Sequence, residues 1–207
     1  MNVIDLNGSP NWEPFDIPGG TEPVSLVRLR AEPDARAFTL LVRFPAGWKR
    51  PAEGSYEAAE DVVFLSGALQ INDVTYTEGE WAHMPVGYPR RISIAHEETL
   101  AVARFSGPAR WRSGLDGAST SEGLHRRLES TGEQRSPLGT GLGTLLRAGT
   151  PDSSWLVQAP LAGSRAPVDA EVLELASRRW TFVACDEPFP DLAGACFCRT
   201  FSAGGSS

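Results

Sequence analysis

Apolar and polar positions alternate with a period of two through much of the first half of the chain. Val24–Arg30 (VSLVRLR) alternates cleanly, and Phe38–Phe44 (FTLLVRF) is a run of apolar and β-favouring residues. Val62–Leu65 predicts a third strand, followed by short strands in ALQIND (68–73) and VTYTEGE (74–80). Further strands are predicted over Trp81–Met84, Arg91–Ala95 and Thr99–Phe105. Glycine and proline punctuate the series at Pro45-Ala46-Gly47, Ser66-Gly67, Glu78-Gly79 and Pro85-Val86-Gly87. Short strands recurring about every 8–12 residues between such turns predict an all-β sandwich or barrel. No amphipathic helix of useful length precedes Gly107.

The flanks read differently. Residues 1–22 are rich in Pro, Gly, Asn and Asp, with Trp12 and Phe15 as apolar anchors, and predict an irregular arm. Residues 107–141 are polar, glycine-rich and poor in aliphatics; they predict a linker with one short helix near Ser121–Leu128. The apolar pattern resumes at Leu142 and echoes the first half. LLVRFPAGWKRP (40–51) is echoed by WLVQAPLAGSRAP (155–167), and LAVARFSG (100–107) by CFCRTFSAG (196–204). A repeat of this kind predicts two similar β-units, the second reduced. The organisation expected is an arm (1–22), a barrel (23–112), a linker (113–141) and a second unit (142–207).

Two stretches carry fixed spacings. Gly47 is followed by five residues, Glu53-Gly54-Ser55, four residues, Glu60, six residues and Gly67. Gly79 is followed by five residues, Pro85-Val86-Gly87, two residues and Arg90. These spacings resemble the two motifs of the cupin family of small β-barrels. Glu53, Ser55 and Arg90 stand where that family carries histidines, and the family's glutamate is present as Glu60. The surrounding text, with Trp12, Pro18-Gly19-Gly20 and FPAGW, is most similar to the branch related to the sensor half of zinc-binding anti-sigma factors. The resemblance implies an all-β cupin barrel (a double-stranded β-helix, or jelly roll) followed by a reduced second cupin-like unit. It covers about residues 10–112 well and 150–204 weakly. It fixes fold rather than chemistry, because one fold hosts many functions.

The replaced positions change the expected chemistry. A cupin metal site uses three imidazoles and a carboxylate, whereas these four positions hold two carboxylates, a hydroxyl and a guanidinium. Arg90 cannot ligate and would repel a cation placed beside it. No metal and no other cofactor is therefore expected. Glu53, Glu60 and Arg90 would share one barrel mouth, where a carboxylate pair and a guanidinium offer a base, an acid and an oxyanion holder. Alternatively, Arg90 and Glu60 form a structural ion pair in place of the metal. His83 is the best proton carrier in the chain if its strand face is inward. Tyr56, Tyr76, Tyr88 and Trp81 would line a pocket for a flat ligand, or pack at the rim. Arg43 and Arg104 sit in apolar strands and need partners, either Glu53 or Glu60 or a ligand anion. Ser55 completes the ligand-binding candidates.

Composition narrows the partners. The 207-residue chain carries a net charge of −7 without a basic stripe, which argues against nucleic acid. No apolar run approaches the roughly 20 residues that span a bilayer. The N-terminal residues show no basic, apolar leader pattern, so the cytoplasm is expected. Cys185, Cys196 and Cys198 make an odd count, which speaks for packed thiols rather than a disulfide framework. No phosphate-binding loop is present; GTGLGTLL (139–146) lacks the spacing and the preceding strand. The function expected is a metal-independent enzyme acting on a small organic molecule by acid–base chemistry, such as a cyclisation, dehydration or isomerisation. The alternatives are a non-catalytic ligand-binding or regulatory module, and an oxygenase using Glu53, Glu60 and His83 as unusual ligands. A homodimer is expected from family habit.

Overall fold

The computed structural model describes residues 3–8, 11–32, 36–129, 134–135, 138, 142–149, 152–158 and 163–201. These residues fold as strands and turns and divide into two compact units. Strand β1 (Val3–Asp5) belongs with the C-terminal unit. The N-terminal unit, Pro10–Arg127, begins with β2 (Glu13–Phe15), β3 (Val24–Ala31), β4 (Phe38–Phe44), β5 (Lys49–Arg50) and β6 (Gly54–Tyr56). It continues with β7 (Glu60–Ser66), β8 (Ala68–Ile71), β9 (Val74–Thr77), β10 (Glu80–Met84), β11 (Ser93–Ala95), β12 (Thr99–Phe105), β13 (Trp111–Ser113) and β14 (Leu124–Arg127). The C-terminal unit adds β15 (Gln134–Arg135), β16 (Leu142–Arg147), β17 (Asp152–Gln158), β18 (Ala170–Glu174), β19 (Arg179–Val183) and β20 (Ala195–Phe201). Among the described residues no helix is long and apolar enough to cross a membrane.

In the N-terminal unit a seven-stranded sheet, β14-β10-β7-β12-β4-β3-β2, is joined by a four-stranded sheet, β5-β11-β8-β9, and a two-stranded pair, β13-β6. The core is built by strict alternation. Val62 and Phe64 of β7, Ala82 and Met84 of β10, and Ala101, Ala103 and Phe105 of β12 share one buried cluster. Trp48, Leu69 and Ile71 join it. The four motif glycines, Gly47, Gly67, Gly79 and Gly87, all have positive φ, between 74° and 84°. At Gly67 a side chain would in addition collide with the Glu98 carbonyl.

One irregularity matters for the site. The register between β3 and β4 shifts between Arg28 and Arg30, leaving Leu29 as an extra residue. Simple alternation puts both arginines on one face; the bulge sends them apart. Arg28 lines the interior cavity, whereas Arg30 bonds Glu32 at 2.6 Å.

Three sequence expectations are corrected. The helix expected over Ser121–Leu128 is strand β14, which pairs with β10 from Glu80↔Arg127 to His83↔Leu124. Glu80 explains the pairing: it meets His125 at 3.1 Å and Arg127 at 3.8 Å. The stretch read as a linker from 113 therefore contributes to the barrel unit up to Arg127, while 130–133, 136–137 and 139–141 lie outside the described residues. The irregular arm also contains two strands: β1 pairs with β19 and β2 with β3.

The C-terminal unit is one seven-stranded sheet, β1-β19-β18-β20-β17-β16-β15. Its order β19-β18-β20-β17-β16 matches, strand for strand, the order β10-β7-β12-β4-β3 of the first unit. The two echoed segments, β17 and β20, occupy the places of β4 and β12; residues 159–162 and 202–204 of the echoes lie outside the described residues. Its buried cluster includes Val157, Val172, Val183, Phe189, Cys196 and Cys198. Burial pushes the Cys196 thiol up to about 12, so it packs as a small hydrophobe, and Cys185 is exposed.

Candidate ligand-binding cavity

The inner face of the N-terminal barrel encloses a cavity of about 260 Å³. Its walls are mostly apolar: Val24 and Leu26 from β3, Phe38, Leu40, Val42 and Phe44 from β4, Ala103 and Phe105 from β12, and Trp48. Glu13, Pro14, Phe15, Ile17 and Pro18 line it from the segment beginning at β2. Phe15 is 49% exposed, which places this segment at the mouth. Arg28 and Glu13 are exposed members of the lining.

A polar cluster interrupts the apolar wall, formed by Arg50, Tyr56, Glu60, Arg90 and Ser93. Glu60 opens β7 and is inward because Val62 and Phe64 follow it at even spacing. Arg90 donates to Glu60 and also touches the Met84 thioether. Its backbone bridges to Gly54, which draws the two motif stretches together. Both side chains are nearly closed to solvent, Glu60 at 10% and Arg90 at 8%.

Arg50 is the residue that the sequence reading missed. It is 2% exposed. Its Nη1 donates to the Tyr56 hydroxyl at 3.1 Å and its Nη2 to Ser93 Oγ at 3.2 Å; Nε has no acceptor. The guanidinium lies 4.2 Å from the Trp111 ring centre and 5.5 Å from that of Tyr56. Burial, reinforced by repulsion from Arg90, pushes Arg50 down to about 10, against the attraction of Tyr56 and Glu60. The cavity wall thus holds two guanidiniums and one carboxylate in its buried part.

Trp111 is held on Arg50 by Gly54. Strands β6 and β13 pair with Trp111 opposite Tyr56 and Ser113 opposite Gly54. A Cβ at Gly54 would overlap the Trp111 ring and the Arg112 carbonyl. Gly54→Ala is expected to force the pair apart and cost about 1–3 kcal/mol, the usual penalty of overpacking. A urea titration followed by tryptophan fluorescence reads this, and unchanged stability would mean that the pair adjusts freely.

Several expected site residues lie elsewhere. Glu53 is exposed and does not line the cavity. Tyr56 takes the inward position of β6, so Ser55, one residue earlier, falls on the other side, and Glu53 precedes the strand. Ser55 is buried opposite Arg112 and also lies off the cavity. His83 and Trp81 lie on the β10 face opposite Ala82 and Met84, which belong to the core cluster. His83 Nδ1 is 3.2 Å from Asp61 Oδ1, and the His83 ring stacks 6.5 Å from that of Trp81.

Arg43 stacks on Trp12 at 4.4 Å, and Arg104 pairs with Glu32 at 2.9 Å; neither meets Glu53 or Glu60. Both fall on the face opposite the cavity-lining residues of β4 and β12. Tyr88 borders a small pocket beside Tyr56, Glu60 and Arg90. Tyr76 stacks flat on Phe64 at 5.0 Å in the core, where burial pushes its phenol up to about 12.

The donor set does not fit a divalent metal. Glu60 is engaged by Arg90, a second guanidinium stands in the same wall, and no histidine lines the cavity. No group of three or more His, Cys, Asp or Glu among the described residues has metal-binding geometry. The three ligands of the alternative oxygenase reading do not converge, because Glu53 is exposed and His83 is on the opposite face from Glu60.

No protein-family model matches the chain, and no curated protein matches it. Solved structures do. A proposed dioxygenase from Nostoc punctiforme superposes with a TM-score of 0.76 at 14% identity, over 100% of this chain and 84% of that one. The protein YlbA of E. coli gives 0.62 at 11% identity, over 96% and 89%. A proposed glyoxylate-induced protein from Pseudomonas aeruginosa gives 0.61 at 10% identity, over 91% and 84%. These likenesses are of fold: the chain has the all-β architecture of cupin-fold proteins.

Proposed function

We propose that the N-terminal barrel is the working site of a metal-independent cupin that binds a small organic molecule. The observation that carries this is the ion pair of Arg90 with Glu60 on the wall of a largely apolar cavity. A cation occupies the carboxylate that would otherwise complete a metal site, and leaves the space above it to an organic ligand. At about 260 Å³ the space is below the roughly 300–1,000 Å³ of pockets for drug-sized ligands, so the ligand is small. The shared strand order of the two units, and the seating of both echoes in matching strands, support reading the chain as a reduced double cupin.

Metal independence is tested by incubating the purified protein with iron, zinc, manganese and nickel, desalting, and measuring metal by plasma mass spectrometry. Retention far below stoichiometric is expected. Stoichiometric metal that disappears in Glu60→Ala would sink the reading.

A catalytic form of this function rests on Glu60, the buried carboxylate of the cavity wall, with the Tyr56 hydroxyl held by Arg50. Proton transfer at these two groups would suit an isomerisation or dehydration. The expected acid–base couple of Glu53 with Glu60 is not assembled, and His83 does not reach the cavity. Binding is therefore the better-supported activity, and turnover requires Glu60.

A further inference from the structure

The cation count of the cavity identifies the charge of its occupant. Arg90 has its carboxylate in Glu60. Arg50 has only two neutral hydroxyls, Tyr56 and Ser93, and two aromatic rings. Hydroxyl dipoles and ring faces do not neutralise a charge, and burying an unpaired cation is costly. The wall is thus one positive charge in excess, at a site where Arg50 has an N–H without an acceptor.

Away from this cluster the cavity offers apolar surface. Val24, Leu26, Leu40 and Val42 form one part, and Phe38 and Phe105, with rings 5.1 Å apart, form another. The remaining charged lining residues, Arg28 and Glu13, are exposed at the mouth, where water solvates them. A ligand that satisfies the interior needs one anionic end and an otherwise apolar body.

We propose that the barrel binds a small apolar monocarboxylate, with its carboxylate held by Arg50 and its ring or short chain among the β3, β4 and β12 side chains. This rests on the reading of the barrel as a small-molecule site. The size fits: about 260 Å³ is the liquid volume of about nine waters, enough for a single ring or a short chain bearing a carboxylate. The carboxylate accepts from a guanidinium that the fold itself already holds away from water. A neutral ligand of the same shape leaves that charge uncompensated.

The test uses the full chain and paired probes: benzoate, cyclohexanecarboxylate and hexanoate, each against its primary amide. Binding is read by calorimetry and by thermal shift. At least one acid is expected to bind about ten- to a hundredfold more tightly than its amide, the worth of a charge-assisted hydrogen bond. Arg50→Gln and Arg50→Met should each erase this preference while circular dichroism stays unchanged, and Arg28→Gln at the mouth should retain it. Amides that bind as tightly as their acids overturn the inference and leave the small-molecule reading standing. Failure of every acid and every amide to bind overturns both. A preference that survives Arg50→Gln but disappears in Arg28→Gln moves the anion site to the mouth and overturns the assignment to Arg50.

Discussion

Arg50→Met is expected to raise the melting temperature of the ligand-free protein. Most substitutions of a fully buried, hydrogen-bonded side chain destabilise. Arg50 differs because its charge is buried without a counter-ion. Its pKa is pushed down to about 10, well below the usual guanidinium range, chiefly by burial and next by Arg90. At about 1.36 kcal/mol per unit this is a penalty of about 3 kcal/mol for keeping the guanidinium charged in the fold. The Tyr56 hydrogen bond already offsets part of the lowering. Loss of the Ser93 bond and of the stacking on Trp111 returns about 1–2 kcal/mol to the debit side. Methionine fills similar volume without charge, so a net gain of about 1–2 kcal/mol remains, or about 3–6 °C for a unit of this size.

The pH dependence has a definite sign. A base whose folded pKa is depressed carries its full penalty below that pKa. Between about 10 and the ordinary guanidinium value the unfolded chain binds more protons than the folded one, so wild-type stability rises relative to the variant. The gap between Arg50→Met and wild type should therefore be flat at neutral pH and narrow above pH 10 or so. Scanning calorimetry across that range measures it. A variant less stable than wild type at neutral pH would mean that the hydroxyls and rings compensate the charge fully. A cation kept at a net cost is the signature of a ligand-binding group, since stability is given up where function needs strain.

The strand pattern was legible because short apolar, β-favouring runs are cut by Gly and Pro turns. Alternation itself is clearest in β3 and β8, whereas β7 and β12 are buried on nearly every position. Strand β14 was not legible: its four residues, Leu124–Arg127, are all exposed, and its pairing rests on backbone bonds and on Glu80. No side-chain period marks such a strand.

At the site, motif spacing singled out Glu60 and Arg90, and the aromatic candidates included Tyr56; all three line the cavity. It failed at Glu53 because the spacing fixes a position along the chain and not the direction of a replaced side chain; Glu53 falls between β5 and β6 and is exposed. The signal for Arg50 was present in Trp48-Lys49-Arg50, where buried, exposed and buried positions alternate. For β10 the sequence left open whether the face of Trp81 and His83 or the other one points inward. Trp81 is fully buried, yet Ala82 and Met84 belong to the core cluster; a strand buried on both faces gives no parity signal.

Glu60→Ala is expected to be the most destabilising single change in the cluster, at about 3–5 kcal/mol. Removing the carboxylate takes the wall from two cations and one anion to two unopposed cations. Arg90 loses its partner, and Arg50 loses an attraction that partly opposed its desolvation. Glu60→Gln keeps the shape and isolates the charge; it should lose most of the same stability. The informative comparison is the same substitution in the Arg50→Met background. There the wall would go from neutral to a single cation, so the cost of Glu60→Gln should fall by about 1 kcal/mol or more. Urea denaturation of the four proteins in this cycle measures the coupling. If Glu60→Gln costs the same with and without Arg50, the three charges do not act together, and the positive excess assigned to the cavity is not felt by the fold. If the coupling is present, an incoming carboxylate beside Arg50 would stabilise the folded protein by the same electrostatics. Stability, ligand charge and the Glu60–Arg90 pair then become linked quantities of one buried cluster.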